Sequence, residues 1–582
     1  MKKLKKLLKS IADQSYQKIQ LLTGCFQFSY YSVQFIKIQG SPGANPASIA
    51  SVAVSIKECG LPLSYLDSPL KRIAVADFLI RRFNEGINQF AQQNRGKQGS
   101  GSFHTVELGQ TMLQRDCVLF CGEQIELRFV FSLPAKGTGV IDANQAWIMF
   151  EQELTSIVDY TFFYHKFTEA TKELLRRTLD IQEARLQIKQ YMQKHGLCVF
   201  INNGASLVRR SGVDDRPDEN PQTIRFQSPK ETEVEIPLSA TSSIKGMGIK
   251  EGVCCITGGG YHGKSTLLQA ILAGVYAHIP DDGREFVVTR DDAVFVRAEE
   301  GRSIKGLDIS AFIANLPNGI DTHYFSSDNA SGSTSQAASL VESIEMGSRL
   351  LLFDEDTCAN NLLLRDDLIE KVLDAKHDPI KPLYSKLRSL WQQQGVSMIF
   401  VVGGLGLFLQ KADTCLLMDN YQCKDITAKI RAKLGGIVED DGTVLKIANN
   451  RVLAPDNFNP SYTNYRLKKT LPKRIKDLRN APKCLEYGMD LVNLEAVPQL
   501  VEAPQLLCIG YCLLKIQLEM QAQGVGGHTI EYWLKWLYKE IDAKGLSYLQ
   551  PDYPGTLSLP RQYEVSAAIN RIRSLNIIDN FN

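Results

Sequence analysis

A glycine separated by four residues from Gly-Lys-Ser is a spacing suited to holding polyphosphate. The chain carries it at Gly258, Gly263, Lys264 and Ser265, within Thr257-Gly258-Gly259-Gly260-Tyr261-His262-Gly263-Lys264-Ser265-Thr266. Glycines let the backbone curl so that successive amides face phosphate oxygens, and a helix beginning at the end of the loop adds partial positive charge. Lys264 can span the β- and γ-phosphates, the Ser265 hydroxyl can ligate Mg²⁺, and Thr266 continues the amide cradle. The flanks suit the chemistry, with a short apolar strand candidate at 253–256 and a helix candidate at 267–278. Four constrained positions match by chance in roughly a few per cent of chains this long, and the flanks lower that further. His262 has two readings, a catalytic imidazole or a residue that shapes the loop, and its place inside the loop favours the second.

Ninety residues beyond Lys264, the run Arg349-Leu350-Leu351-Leu352-Phe353 ends in Asp354-Glu355, so that 349–355 reads as an acidic strand. A carboxylate at the carboxyl edge of a sheet, beside a phosphate loop, is where a Mg²⁺ shell needs an oxygen, and Asp354 suits that role. Glu355, the next residue, can polarise an attacking water without holding the metal. Two acids that merely end a strand would be the plainer reading of an isolated pair. Upstream, Asn329-Ala330-Ser331-Gly332-Ser333-Thr334-Ser335-Gln336 precedes a helix candidate at 337–346. Small hydroxylated residues at a helix start make a second anion-binding surface, although alone they would be an ordinary N-cap cluster.

These residues need a scaffold. Between about 251 and 425 the pattern of apolar strand, glycine-rich turn and helix repeats, which predicts an α/β core with a mostly parallel sheet. Before it, 26–38 has strand-like density, 76–90 has helical spacing with Ile80, Phe83 and Ile87 on one face, and 117–133 reads as a hairpin turning at Gly122-Glu123. Residues 146–192 read as mostly helical, and 214–229 as a surface loop. After 445 the composition changes, with a basic run at 466–479 and a largely helical tail from about 501 to 575. The expected division is a mixed α+β N-terminal domain over 1–165, an ATPase-type core over 166–445 and a mainly helical C-terminal domain over 446–582.

The 582 residues, 44% apolar and 22% charged, exclude a disordered or fibrous chain. The longest apolar run, 396–409, is short for a membrane helix and is interrupted by glycines, so no transmembrane segment is expected. Sixty-six basic against 64 acidic residues name no partner. Thirteen cysteines without a paired CxxC read as reduced thiols in a cytoplasmic compartment, with a mitochondrial one as the alternative. Five lysines among residues 1–9 read as a solvated amphipathic helix end rather than a targeting segment.

The arrangement of these motifs resembles the ABC-class ATPases, and more closely the soluble "predicted ATPase of the ABC class" family, one member of which belongs to the trypanosome mitochondrial RNA-binding complex. The match rests on the loop 258–266, Asp282-Gly283-Arg284-Glu285-Phe286, the stretch 329–337, Leu352-Phe353-Asp354-Glu355-Asp356-Thr357 and Met418-Asp419-Asn420-Tyr421. Arg209-Arg210-Ser211-Gly212-Val213 and Lys245-Gly246-Met247-Gly248 flank it, and the likeness extends outward through Gln39-Gly40 and 571–575. The resemblance implies an ABC-type P-loop NTPase core, ATP and Mg²⁺ as cofactors, and a head-to-tail homodimer. In that dimer Gly258, Gly259, Gly260, Tyr261, His262, Gly263, Lys264, Ser265 and Thr266 of one copy would bind ATP, with Ser331, Gly332, Ser333 and Gln336 of the other completing the site as a signature loop. Ser265 and Asp354 would hold the metal, Glu355 and Lys264 would be catalytic, and 356–361 would lie at the subunit contact. Two departures stand out. The usual histidine after the next strand is replaced by Gly403-Gly404, and Glu299 or Glu300 stands where a lid glutamine is usual.

What ATP would drive is a separate question. Arg466, Lys468, Lys469, Lys473, Arg474, Lys476 and Arg479, with Tyr462 and Tyr465 just before them, could contact single-stranded RNA through phosphates and base stacking. A solvated helix face is the plainer reading of such a run. Three functions follow: an ATPase coupled to nucleic-acid binding or remodelling, a nucleotide-gated scaffold with negligible turnover, and a small-molecule kinase. The second anion loop speaks against the kinase, which needs an acceptor pocket in its place.

Overall fold

A computed structural model describes residues 1–38, 48–92, 95, 100–136, 139–365, 378–442, 444–447, 451–464, 469–471, 475–477, 483–524, 527–550 and 555–578. The chain divides into two compact units, one of residues 1–183 with 542–559, the other of residues 184–541 with 560–582.

The first unit is built on a six-stranded antiparallel sheet. Its strands run Gly24–Gln27, Tyr31–Lys37, Ser48–Ser55, Gln124–Ser132 and Ser102–His104 in spatial order, with Val118–Cys121 also pairing onto Gln124–Ser132. Alternation explains Gln124–Ser132, where Ile125, Leu127, Phe129 and Phe131 point into the core and the residues between them are more exposed. The hairpin at Gly122-Glu123 forms as its sequence suggests, with Gly122 at φ 58°. The strand-like stretch 26–38 proves to be two strands that bend back on each other. Helix Pro69–Phe90 starts where Ser68 accepts from the Lys71 amide and proline takes the first helical position, and it buries Ile80, Phe83 and Ile87. Phe35, Phe103, Phe129, Phe131 and Phe150 interlock at the centre. The run Gly40-Ser41-Pro42-Gly43, which reads as a break after the first strands, lies outside the described residues, as do residues 98 and 99 of the stretch 98–102, which reads as a Gly/Ser loop.

The second unit holds the α/β core. Ala293–Phe295, Leu350–Asp354, Ser397–Val401, Val253–Gly258 and Thr414–Asp419 lie side by side in parallel, and Gln422–Asp425 closes the edge as an antiparallel hairpin partner. Strands covered on both faces tolerate unbroken apolar runs, which is why Leu350-Leu351-Leu352-Phe353 and Met398-Ile399-Phe400-Val401 fold this way. Phe353 and Phe400 stack at 4.5 Å between neighbouring strands. Leu340, Val341 and Ile344 of helix Gly332–Glu345 and Leu387 and Leu390 of helix Leu387–Gln394 belong to the same buried cluster. A second, antiparallel sheet orders Glu233–Pro237, Ser243–Lys250, Leu197–Asn202 and Val287–Thr289. The helix after the phosphate loop is Lys264–Ala273, shorter at its end than its apolar pattern suggests. It stops at Gly274, whose carbonyl accepts from the Thr289 amide at 3.0 Å and where a side chain would strike the Thr289 hydroxyl.

Helices Ala503–Gln523, Ile530–Lys544 and Gln562–Ile569 dominate the tail, as its sequence implies. Before them the backbone is strand. Tyr462–Asn464 pairs with Lys469–Leu471, and Ile475–Asp477, Cys484–Tyr487 and Asp490–Asn493 form a three-stranded sheet. The basic run is therefore not a helix face where its backbone is described.

Candidate nucleotide-binding site

Parallel strands deliver their carboxyl ends to one edge, and the register fixes which residues meet there. Val401 lies opposite both Ile256 and Asp354, so the phosphate-loop strand and the acidic strand reach that edge on either side of Ser397–Val401. Gly258 then turns with φ 146°, and a Cβ there would collide with the Met418 carbonyl of the next strand. Gly263, at φ 95°, caps the helix that begins with Lys264, and a Cβ would sit 3.2 Å from the Tyr421 ring. Lys264 Nζ donates to the carbonyls of Gly258 and Gly259, both at 2.8 Å, which holds the ammonium across the loop. Tyr261 stands at the tip with φ 62° and is 98% exposed. Ser265 is exposed in the first helical turn, and Thr266 is half-buried.

His262 is bound into the loop's support. Its Nδ1 accepts from the Asn420 amide at 3.0 Å, which leaves the proton on Nε2. The ring lies 3.3 Å from the position a Gly259 Cβ would take. It ties the loop to the turn between Thr414–Asp419 and Gln422–Asp425, a contact that supports the shaping role.

Asp354 is buried and accepts from the Asp356 amide at 3.3 Å. Burial pushes its carboxyl above the ordinary range, and the nearby Lys264 charge partly offsets this. A buried carboxylate near the phosphate-loop lysine fits a hard divalent cation. No cluster of three or more metal-ligating side chains occurs among the described residues, so phosphate and water oxygens would have to complete such a shell. Glu355 reaches the turn after Ser397–Val401, the strand between the acidic strand and the phosphate-loop strand. Its Oε2 accepts from the amides of Gly403 at 2.6 Å, Gly404 at 3.0 Å and Leu405 at 3.4 Å, and its Oε1 accepts from Gly404 at 3.3 Å.

Ser331 is the N-cap of helix Gly332–Glu345, its Oγ accepting from the Thr334 amide at 3.4 Å. Ser331 is exposed and Gly332 half-exposed, as an anion-binding helix start requires, whereas Ser333 and Gln336 are buried. Gln336 accepts from the Ala359 amide at 2.7 Å, and so ties the helix to the segment after the acidic strand instead of presenting itself on the loop surface. Helical spacing explains this, because Ser333, Gln336 and Leu340 share the core face. Ser335 Oγ donates to the Gly332 carbonyl and accepts from the Glu299 amide at 2.8 Å.

Glu299, a candidate for the lid position, is taken up elsewhere. Its carboxylate pairs with Arg571, the closest bond from Nη2 and another from Nε at 2.9 Å, with Arg302 at 3.9 Å. Burial works against its charge, but Arg571 and Arg302 outweigh it and hold the carboxyl below the usual range. Glu300 is exposed, its side chain 3.8 Å from the Cβ position of Gly332. Sequence reasoning missed Arg571, Ala359 and the amides of residues 403–405. Only Gly403-Gly404 left a signal, as the place where a histidine was lacking.

Of the basic run, Arg466, Lys468, Lys473, Arg474 and Arg479 lie outside the described residues, as does Tyr465. Lys469 falls in the strand Lys469–Leu471, and Lys476 is exposed on Ile475–Asp477.

Comparison with known proteins agrees with this geometry. Residues 171–446 match the ABC_ATPase family model, described as a P-loop domain, residues 1–165 match "ATPase of the ABC class N-terminal", and residues 479–578 match "MRB1590 C-terminal domain". An uncharacterised protein of Methanocaldococcus jannaschii is 32% identical over 259 residues, 43% of this chain, and the chain spans 56% of that relative's length. Among solved structures, cbiO1 from Clostridium perfringens, part of the ABC transporter complex cbiONQ, aligns at 14% identity and a TM-score of 0.26, covering 41% of this chain and 92% of that one. A putative metal-chelate type ABC transporter in an inward-facing conformation aligns at 16% identity and a TM-score of 0.24, covering 39% and 82%. No helix among the described residues is long and apolar enough to cross a membrane. With three family models spanning nearly its whole length and the phosphate loop, acidic strand and sheet order in place, the chain belongs to the ABC-class P-loop ATPases.

Proposed function

We propose that the chain hydrolyses Mg-ATP at composite sites between two copies of itself and couples closure of that dimer to nucleic acid, most simply RNA. The observation that carries the reading is the meeting of Lys264, Asp354 and Glu355 at one sheet edge. In it, Gly258 to Thr266 cradle the phosphates, Lys264 carries positive charge toward them, and Ser265 and Asp354 would hold the metal. Bound Mg²⁺ would neutralise developing charge on the phosphate oxygens. Glu355 takes a proton from the attacking water as its oxygen bonds in line to the terminal phosphorus and the bond from that phosphorus to the bridging oxygen breaks, releasing ADP and phosphate. Ser331 and Gly332 of a second copy, exposed at a helix start, are placed to bind the same triphosphate from the other side.

The test is Mg-dependent ATP hydrolysis by the full chain. Glu355→Gln is expected to lower kcat by about 100-fold or more, with ATP still bound and the dimer retained. Parental turnover in that variant contradicts the role given to Glu355. The scaffold reading draws on the missing histidine, and single-turnover hydrolysis within seconds would exclude it.

RNA is supported by the basic run and by the family likeness described above. Crosslinking to RNA in cells, with charge reversal at Lys468, Lys469, Lys473 and Arg474, tests it. Loss of signal places the contact there, and unchanged signal removes the run from the account. The 13 free cysteines, most of them buried, suit a reducing, cytoplasmic-type compartment.

A further inference from the structure

The carboxylate of Glu355 is held by three consecutive backbone amides, and this arrangement goes beyond what the motifs require. Gly403, Gly404 and Leu405 follow directly on strand Ser397–Val401, and the Val402 amide donates to the Ile256 carbonyl at 2.9 Å. The amides are therefore carried on backbone that is itself hydrogen-bonded to the phosphate-loop strand. Oε2 receives three of the four bonds, the shortest at 2.6 Å, while Oε1 receives one at 3.3 Å. One oxygen is thus saturated and the other keeps lone-pair capacity.

Gly404 is needed for closeness, whereas Gly403 would tolerate a Cβ. Neither has positive φ, so left-handed backbone is not the reason for them. A Cβ on Gly404 would lie 3.2 Å from Oε1, tighter than ordinary contact, and one on Gly403 would lie 4.0 Å from Oε2. Successive amides converging on an anion form a concave donor site that needs no cationic side chain. Such donors do not titrate and have no rotamers to lose.

We infer that the Gly403-Gly404-Leu405 turn, standing where a histidine is usual, is the positioning element for the general base. It fixes Glu355 through Oε2 so that Oε1 is the oxygen that takes the proton from water. This rests on the hydrolytic reading of Glu355 given above. Gly403 and Gly404 are positioning residues, acting through Glu355 and not on ATP.

A double-mutant cycle on the full chain tests it. Gly404→Pro removes the amide that reaches both oxygens, Gly404→Ala keeps the amide but crowds Oε1, and Gly406→Ala is the control, since a Cβ there meets nothing within 4 Å. Each is measured in the parent and in a Glu355→Gln background by single-turnover hydrolysis followed for hours. Displacing a positioned group by a fraction of an ångström to 1 Å costs about 10- to 100-fold. Gly404→Pro is expected to lower the rate by that factor with KM for ATP within about twofold, Gly404→Ala to lower it several-fold, and Gly406→Ala to leave it unchanged. In the Glu355→Gln background the Gly404 substitutions should cost nothing further, because their effect passes through that carboxylate. Should Gly404→Pro fail to fold, Gly404→Ala carries the same cycle. Parental or faster turnover in the Gly404 variants, or an equal loss in both backgrounds, overturns the inference while leaving the ATPase reading intact. Parental turnover in Glu355→Gln alone overturns that reading, and the cradle's catalytic role with it.

Discussion

Lys264 and Gly258 fail in different ways when replaced, and the difference separates ligand binding from folding. Lys264 Nζ bonds the carbonyls of Gly258 and Gly259 in its own loop, so Lys264→Ala should leave thermal stability near the parent's. Losing one charge-assisted contact to phosphate should weaken ATP binding by about tenfold or more, read by nucleotide titration. Unchanged affinity would remove Lys264 from the site. Gly258→Ala should lose both, because its Cβ meets the Met418 carbonyl of the adjoining strand. At this scale the phosphate loop and Asp354-Glu355 are legible in the sequence, since their function depends on residue type and spacing. The partners of Glu355 are not, because a backbone amide carries no signature of the residue that bears it. The same holds for Ala359, whose amide donates to the Gln336 side-chain carbonyl.

Elements are joined around the helix Gly332–Glu345 by buried charge. Arg571 near the chain's end pairs with Glu299, the Glu299 amide donates to Ser335, and Arg302 binds Glu342 within the helix Gly332–Glu345. Arg571→Met leaves Glu299 a buried, half-paired carboxylate and should cost about 3–5 kcal/mol by urea unfolding, with Glu299→Leu added to it restoring much of the loss. A cost under about 1 kcal/mol would mean that the pair is solvated. The pH dependence has a definite sign. The folded carboxyl of Glu299 lies below its unfolded value, so its contribution is present above the unfolded value and lost as pH falls through the folded one. The stability gap between parent and Glu299→Gln should accordingly shrink on acidification. Much of this layer is legible: apolar runs predict the parallel strands, and the 3.6-residue period predicts the helices. The strands between 462 and 477 are not, because a basic run reads as a solvated face before it reads as a strand. Nor is the early end of the helix Lys264–Ala273, which is set by Gly274 packing on Thr289.

For the whole molecule, a net charge of +2 and 44% apolar residues exclude little, and the division into units at 183 and 541 crosses continuous helical periodicity that shows no boundary in the sequence. Each copy offers a phosphate loop at one sheet edge and an exposed Ser331-Gly332 helix start, and the proposal needs the two to meet across a dimer. Sedimentation of Glu355→Gln with saturating Mg-ATP, with bound nucleotide counted in the same peak, tests this most directly. The account predicts a dimer carrying two ATP molecules, reverting to monomer when Ser331→Arg is added. A species that remains monomeric with ATP bound, or that binds none, contradicts it.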